Sequence, residues 1–319
     1  MWKTIVRRLI LLVPMLFALS IVMFLLARAM PGDALTGLVD PNLGADDIAR
    51  MREELGLNLP WYQQYWNWFT NLLRGDLGRS WRYRMPVTQV IGQRAANTIR
   101  LSFVTIIFTF LIAIPAGLIA GKYQDKLIDR GIIFYTFFAM AMPTVVFALI
   151  NIFVFGFTFG WFPITGSVSV AASPGLETFF SRIHHLILPA LTGALLSTVG
   201  LINVLRSEVI EAESSDYVTL ARSKGVPSRK VYSRHIFKNA SLPVVTSVAV
   251  FLPFLIGGSI FIETVFAFPG IGRLFISSIV ERDFAIVNGL ILIFATVTIV
   301  GILLADVLMM IVDPRIRIK

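Results

Sequence analysis

The chain lacks cysteine altogether and carries little charge. With no cysteine among its 319 residues, it can form neither a disulfide framework nor a thiolate metal site. Charged residues make up 15% of the sequence, whereas an average soluble domain has about 25%. A soluble core of this size would need more polar surface than the chain provides. The composition therefore excludes a disulfide-stapled scaffold and disfavours a soluble domain.

Long apolar runs take the place of that missing polar surface. Six stretches are long enough to cross a bilayer as helices, which takes about 20 residues. They are Leu9–Ala29, Ile99–Ala120, Ile132–Phe155, Leu186–Leu205, Leu242–Val265 and Val287–Val312. The net charge of +9 would suit a nucleic-acid binder, but such a protein has no need of long apolar runs. We therefore predict an all-α integral membrane protein with six transmembrane helices and no nucleic-acid partner.

Two features of these stretches bear on their assignment. Pro115, Pro143 and Pro253 lie inside predicted spans, where neighbouring helices can satisfy the freed backbone groups. The first span ends in Ala27-Arg28-Ala29, which resembles a signal-peptidase site. Its apolar run is longer than the core of a secretory signal, which has about 7–15 residues. We therefore predict an uncleaved, anchored first helix.

The apolar stretches divide the chain into four parts. Residues 1–30 form the N-terminus and first helix, and residues 31–98 form an extracytoplasmic segment with short amphipathic helices. Residues 99–312 form a domain of five transmembrane helices that includes a loop at 206–240, and residues 313–319 form a tail. If the N-terminus is cytoplasmic, only Arg182, Arg273 and Arg282 fall in short outer loops. The positive-inside rule therefore predicts that both termini and the 206–240 loop are cytoplasmic.

A basic segment broken by glycine and proline interrupts the apolar pattern, with the sequence YVTLARSKGVPSRKVYSRHIFKN. We predict a helix over Ser207–Lys224 that continues the fourth span. Gly225 would follow it as a left-handed residue, and Pro227 prevents the helix from continuing. Ser228 would cap a second short helix that ends at Asn239. The segment is therefore predicted to be a helix, a tight turn and a second helix.

Two other interpretations of this segment remain open. A solvated, positive-inside loop would carry the same charge, although such a loop has no use for a folded turn. A helix-turn-helix reader of DNA would have the same order of elements, but attachment to membrane helices at both ends disfavours it.

The chain also carries a series of longer stretches in a fixed order. They are RRLILLVPMLFALSIVMFLLARAMPGD, ELGLNLPWYQQYWNWFTNLLRGDLGRS, DYVTLARSKG…RHIFKNASLP, ETVFAFPGIGRLF and DPRIRIK. Together they resemble the membrane permease subunits of ABC importers, in the branch that handles dipeptides, oligopeptides and, in some members, nickel. The resemblance covers essentially the whole chain. It implies the type I permease fold of ABC importers, with a cytoplasmic coupling helix, in the plasma membrane of a prokaryote.

The resemblance also implies a division of labour among subunits. This chain would form half of a translocation pathway for oligopeptides or dipeptides, with a second homologous permease subunit forming the other half. Two cytoplasmic ATP-binding subunits would drive alternating access, and an extracytoplasmic peptide-binding protein would deliver the peptide. Membrane lipid would surround the helices. The chain itself would be no enzyme and would hold no cofactor, because ATP and magnesium would bind to the partner ATPases.

The predicted coupling loop departs from the general ABC-permease motif, Glu-Ala-Ala followed three residues on by Gly. Alignment on Gly225 leaves only Ala221 and Gly225 matching, which is usual for the peptide branch. The literal Glu211-Ala212-Glu213 then resembles the Glu-Ala-Ala motif without occupying its position. The residues predicted to form the ATPase-coupling site are Tyr217, Ala221, Arg222, Lys224, Gly225, Val226, Pro227, Ser228, Arg234, His235 and Asn239.

No nucleotide-binding loop of the form G-x-x-x-x-G-K-[ST] occurs in the chain. The nearest stretch runs from Gly117 to Tyr123, with three residues between the glycines and no hydroxyl after Lys122. A helix-packing motif of the GxxxG type is the better interpretation.

Ion-coupled secondary transport is the alternative class, and it needs ionisable residues near the middle of the membrane. Glu263 and Asp306 are the candidates, but each is expected near the end of its span, at an interface. Nickel is the alternative substrate, and the adjacent His184 and His185 would suit it. Adjacent histidines at a helix entrance are more often interfacial, so we predict no metal site.

The segment before the second span combines a helical stripe of Ile48, Met51 and Leu55 with a run of aromatic residues. The aromatic residues are Trp61, Tyr65, Trp66, Trp68 and Phe69. An aromatic belt at the membrane interface is predicted. A docking platform for the external binding protein is the alternative, favoured by Arg74, Arg79, Arg82 and Arg84.

Overall fold

The computed structural model describes residues 2–29, 49–50, 53, 58–241, 244 and 259–312. Within these residues the regular structure is helical, apart from one isolated bridge between Arg79 and Pro86. The helices are α1 (Trp2–Ala29), α2 (Trp61–Leu73), α3 (Val87–Lys122), α4 (Leu127–Ala141), α5 (Thr144–Asn151), α6 (Leu176–Glu213), α7 (Asp216–Ser223), α8 (Ser228–Ala240), α9 (Ile260–Val265), α10 (Ile271–Val280) and α11 (Phe284–Val312). Helix α5 continues into a π-helical turn at Ile152–Thr158, and α8 contains one at Val231–Ile236.

Long apolar helices make up most of the described chain. By length and composition α3, α6 and α11 can each cross a membrane, and α4 with α5 adds a fourth crossing if the two count as one broken span. Most of the fifth predicted span, Leu242–Val265, lies outside the described residues. The helical class is confirmed, and the count of six spans stays a prediction.

The third predicted span, Ile132–Phe155, is not a continuous helix. The chain bends by 112° between α4 and α5. Met142 is extended, with a ψ of 127°, and Pro143 precedes the first residue of α5. Proline has no N–H to donate and disfavours helical backbone in the residue before it. The helix therefore breaks at Pro143, and a single span through this proline stays a prediction, whereas Pro115 lies inside the continuous helix α3.

The helix pair α3 and α6 forms the centre of the structure. Gly117 and Gly121 of α3 are buried where the helix meets α6. A Cβ on Gly117 would lie 2.7 Å from the Leu205 Cβ, and one on Gly121 would lie 2.6 Å from the Val209 Cβ. Only glycine allows the two backbones to approach this closely, which confirms the predicted GxxxG packing.

Ion pairing fastens α4 to the same pair of helices. The Arg206 guanidinium of α6 donates two hydrogen bonds of 2.7 Å to the two carboxylate oxygens of Asp129, near the start of α4. The Asp129 side chain is almost fully buried and also accepts the N–H of Asp125 at 2.8 Å. We call the end of the bundle that holds this pair the loop end, because α6 runs from here into α7 and α8.

Aromatic packing joins α2 to α1. The hydroxyl of buried Tyr65 lies 2.9 Å from the Ser20 hydroxyl, and its ring contacts Phe17 and Phe24. Trp61 and Trp66 lie on α2 with more than half of their surface exposed. These exposed rings suit the predicted aromatic belt, which stays a prediction. The stripe of Ile48, Met51 and Leu55 lies outside the described residues.

The contact between α3 and α6 generates a prediction about two glycines of the same helix. Gly121→Ala forces α3 and α6 apart, and we expect a lower thermal unfolding midpoint, with a loss of about 1–3 kcal/mol. Gly92→Ala is the matched control, since a Cβ there meets nothing within 4 Å and alanine favours a helix interior by about 0.5–1 kcal/mol. Thermal unfolding of the full-length variants in detergent measures both changes. Equal midpoints for the two variants would contradict the packing assignment.

Candidate functional site

Helix α7 ends in a tight turn at the predicted glycine. Gly225 has a φ of +73°, in the left-handed region. Its N–H donates to the Arg222 carbonyl at 2.9 Å, and the Val226 N–H donates to the Ala221 carbonyl at 3.2 Å. These two bonds are those of a Schellman motif, which satisfies carbonyl groups that a helix end leaves free. The predicted conformation of Gly225 is confirmed.

The inward face of the turn packs into a small apolar core at the loop end. Val218 and Ala221 of α7 are buried there with Val231 and Ile236 of α8, and Val226 packs against them. The core also includes Val209 and Ala212 from the end of α6 and Leu118 from α3. Because these residues come from four helices, the turn is built as a continuation of the helical bundle.

The outward face of the turn carries most of the predicted coupling residues. Exposed are Tyr217, Arg222, Lys224, Gly225, Pro227, Ser228, Arg234 and Asn239, and His235 is partly buried. Ala221 and Val226, by contrast, face the apolar core. Leu220 was not predicted but lies on the exposed face, with 55% of its surface accessible. The predicted residues from Ala221 to Ser228 thus form the turn, and Ala221 and Val226 support it from behind. The other predicted residues lie on the flanking helices, Tyr217 on α7 and Arg234, His235 and Asn239 on α8.

The helices around the turn differ from the predicted ones in two details. The predicted helix over Ser207–Lys224 is interrupted at Ser214 and Ser215, where α6 ends and α7 begins. The Ser215 hydroxyl donates back to the Ala212 carbonyl at 2.5 Å, which offers the backbone an alternative to a continued helix. Pro227 precedes α8, and Ser228 is its first residue without a capping hydrogen bond. The predicted cap at Ser228 is therefore wrong.

A polar brace ties the two helices of the turn to the end of α6. Glu213, the last residue of α6, accepts a hydrogen bond of 2.7 Å from the Tyr232 hydroxyl of α8. The same carboxylate oxygen accepts from the Arg222 guanidinium of α7 at 2.5 Å. One carboxylate thus fixes three helices relative to one another. We call Glu213, Arg222 and Tyr232 the brace.

The two donors of the brace, Arg222 and Tyr232, both have raised pKa values. Burial, together with the hydrogen bond that the Tyr232 hydroxyl donates to the Glu213 carboxylate, raises the pKa of Tyr232 to about 12. The same carboxylate, by its hydrogen bond, raises the pKa of Arg222 above its ordinary value. Both shifts favour the forms that donate to Glu213, the protonated phenol and the charged guanidinium.

The sequence did not reveal the brace. Glu213 was predicted to belong to a stretch that only resembles a family motif, and Tyr232 carried no prediction. Glu213 and Arg222 are nine positions apart inside the predicted helix Ser207–Lys224, too far to meet if that helix were continuous. Only the helix break at Ser214 and Ser215 turns α7 back far enough for the two side chains to meet.

The buried carboxylate of Glu263 lies at the opposite end of the bundle, where α9 and α10 meet α3. The fully buried Glu263 accepts hydrogen bonds from the Thr98 hydroxyl at 2.8 Å and from the Gly272 and Arg273 N–H groups at 2.7 and 3.2 Å. These N–H groups belong to the first turn of α10, which has no internal acceptors for them. Glu263 therefore caps α10, and its predicted position near the membrane interface stays a prediction. The side chain of Asp306 lies outside the described residues.

Two of the predicted outer arginines make contacts within the protein. The Arg82 side chain pairs with Glu281 at 3.2 Å. The Arg79 guanidinium donates to the Arg84 carbonyl at 3.2 Å. The histidines are also engaged, since His184 bonds the Trp161 carbonyl at 2.8 Å and His185 bonds the Ser181 carbonyl at 2.7 Å.

The brace generates a prediction about the stability of the turn. Glu213→Ala removes the acceptor shared by Arg222 and Tyr232, at a cost of about 1 kcal/mol for a partly exposed pair. We expect trypsin to cut between α7 and α8 about fivefold faster, because cleavage follows the open population. Glu211→Ala is the matched control, an exposed carboxylate two residues away. Equal cleavage rates for the two variants would mean that the brace does not hold the turn.

Comparison with known proteins agrees with this architecture. Residues 113–318 match the family described as "Binding-protein-dependent transport system inner membrane component", and residues 1–102 match the one described as its "membrane comp, N-term". A chain from a structure of the MetNI methionine ABC transporter in an inward-facing conformation superposes with a TM-score of 0.54. That match has 14% sequence identity and covers 71% of this chain and 97% of the other, so it supports the fold alone.

Curated relatives align over nearly the whole chain. The oligopeptide transport system permease protein AppB of Bacillus subtilis is 39% identical over 98% of both chains. A putative peptide transport system permease protein of Brucella abortus is 35% identical over 99% of both. The glutathione transport system permease protein GsiC of Escherichia coli is 33% identical over 100% of both. The chain therefore belongs to the family of binding-protein-dependent transport system inner membrane components, as a multi-pass permease subunit of the ABC importer type.

Proposed function

We propose that this chain is the permease subunit of an ATP-driven importer and forms half of a translocation pathway for oligopeptides. The observation that carries this function is the braced, exposed turn at Gly225. A turn whose rear packs into the bundle and whose front faces outward can transmit the movement of a docked partner to the membrane helices. Rigid-body motion of packed elements is a common means of alternating access.

The substrate proposal rests on the chemistry named for the relatives. AppB is named for oligopeptides, the Brucella protein for peptides and GsiC for glutathione. These names favour a peptide-like substrate over nickel for this chain as well. A dipeptide is the closest alternative within the same class, and uptake of labelled peptides of graded length distinguishes the two.

The partners follow from the family and from what the chain lacks. Two cytoplasmic subunits bind ATP and magnesium, since this sequence has no phosphate-cradling loop and needs no cofactor of its own for the proposed role. A second homologous permease completes the pathway, and an extracytoplasmic binding protein delivers the peptide. The importer docks its ATPase on the front of the Gly225 turn, where Tyr217, Leu220 and Lys224 lie exposed.

The brace supports the transmission of movement. An ATPase that docks on α7 displaces Arg222, which donates a hydrogen bond to Glu213 at the end of α6. Helix α6 packs closely on α3 through Gly117 and Gly121, and Arg206 holds α4 through Asp129. A displaced turn therefore moves α6 together with α3 and α4. Exposed ion pairs between the turn and the ATPase would each contribute only about 0–1 kcal/mol to docking.

The proposed orientation places the loop end and both termini in the cytoplasm. Reporter domains fused after Arg84 and after Lys230 should lie in opposite compartments, with the Arg84 fusion outside, because α3 to α6 separate the two sites. Alkaline phosphatase and fluorescent-protein activities measure the two locations. Matching compartments would contradict this topology.

The coupling role generates a prediction about Gly225. Gly225→Val places a β-branched residue in the left-handed region, at a cost of at least about 1 kcal/mol. The added Cβ itself meets nothing within 4 Å, so the change acts on the backbone of the turn. We expect normal membrane insertion with a loss of peptide uptake, measured with labelled peptides in cells that lack the native chain.

Gly225→Asn is the matched control, because asparagine tolerates the left-handed region, and it should keep uptake near the parental rate. Crosslinks from Ser223 and Ser228 to the ATPase should form in the parental complex and weaken in the valine variant. If Gly225→Val took up peptide at the parental rate, or if no crosslink to the ATPase formed, the turn would have no coupling role and would be a solvated loop.

A further inference from the structure

A cavity of about 730 Å³ lies at the loop end, between the last turns of α3 and helix α8. Its apolar wall includes Leu118 and Ile119 from α3 and Ile236 and Phe237 from α8. Ligand pockets in proteins commonly enclose about 300–1,000 Å³. The cavity is therefore large enough for the headgroup of a lipid and the first carbons of an acyl chain. None of the residues from Tyr217 to Ser228 lines it, so it is separate from the exposed front of the Gly225 turn.

Two cations line the polar side of this cavity. They are Lys122, at the end of α3, and Arg229, in the first turn of α8. Among the residues that the structure describes, no carboxylate lines it. In the part of the chain that the structure describes, neither cation makes an ion pair. Within the described ranges, the site thus presents two positive charges without a counter-ion.

An aromatic ring orients one of these cations. The Lys122 ammonium lies 5.0 Å from the ring centroid of Tyr232 and 5.1 Å from that of Tyr123. The Tyr232 hydroxyl donates a hydrogen bond to Glu213. This bond fixes the Tyr232 ring in the position where it contacts the Lys122 ammonium. Lysine and tyrosine at the end of an apolar helix are typical of the level of the lipid headgroups.

The site combines an apolar wall that continues from the membrane-spanning part of α3 with a pair of cations at its polar end. This matches the shape and charge of a phospholipid with an anionic headgroup. Basic pockets between helices at the membrane surface bind such headgroups. We propose that the cavity between α3 and α8 binds one anionic phospholipid, with its phosphate between Lys122 and Arg229 and an acyl chain along Leu118 and Ile119.

A lipid at this place would join the second helix of the turn to α3 without involving the docking surface. The inference goes beyond the transport function, because it concerns the membrane and neither the peptide nor the ATPase. It holds whether or not the Gly225 turn is the coupling site, so the two proposals can fail independently.

Native mass spectrometry of the full-length chain, titrated with phosphatidylglycerol or phosphatidylcholine in detergent, tests the proposal. The parent should retain phosphatidylglycerol in clear preference. Each cation near the membrane surface contributes about fivefold to the binding of anionic lipid. Lys122→Gln/Arg229→Gln should therefore weaken phosphatidylglycerol binding by about twenty-five-fold and leave phosphatidylcholine binding unchanged.

The matched control is Lys126→Gln/Lys230→Gln, which removes two exposed charges close to the first pair but outside the cavity. It should keep the parental preference. Ser233→Trp fills the cavity from an exposed position and should lower phosphatidylglycerol binding without any change of charge. Circular dichroism of each variant checks that the helical content is unchanged.

Several results would overturn the proposal. A parent without lipid preference would mean that another segment of the chain or a partner subunit covers the cavity. Equal losses of phosphatidylglycerol binding in Lys122→Gln/Arg229→Gln and Lys126→Gln/Lys230→Gln would mean that the lipid is attracted by the overall positive charge and not by this cavity. Displacement of the lipid by millimolar inorganic phosphate would assign the site to a free anion. If the Ser233→Trp chain no longer bound purified ATPase subunits but still bound lipid, the surface would belong to a protein partner.

Discussion

The close contact between α3 and α6 is the interaction on which the rest of the loop end depends. Lipid gives membrane helices no hydrophobic reason to associate, so close packing at small residues has to hold them together. Gly117 and Gly121 provide that packing against Leu205 and Val209. A side chain at either glycine would separate the helices, and the end of α6 would lose its position relative to α3.

Everything beyond the end of α6 takes its position from that contact. The apolar core behind the turn draws residues from both helices, including Leu118 of α3 and Val209 of α6. Glu213 then fixes α7 and α8 through Arg222 and Tyr232. The turn at Gly225 is thus held by packing from behind and by hydrogen bonds from one side, while its front stays free for a partner.

The accuracy of the sequence predictions followed the range of the interactions concerned. The left-handed Gly225 depends on the residues next to it, and the GxxxG motif on a spacing within one helix, so both could be predicted. The break at Ser214 and Ser215 and the burial of Glu263 could not. Glu263 is buried because Thr98 of α3 and the first turn of α10, both distant in sequence, converge on its carboxylate.

The sequence by itself determined the membrane class, the long apolar helices and a basic turn with glycine at its sharpest point. These properties depend on composition and on local backbone preference, which a linear chain displays directly. The tertiary structure alone decided which face of the turn is buried, that Glu213 serves as its brace, and that Lys122 and Arg229 share one cavity. Such pairings depend on how separate helices approach one another, because residues far apart in the chain become neighbours only after the helices have packed.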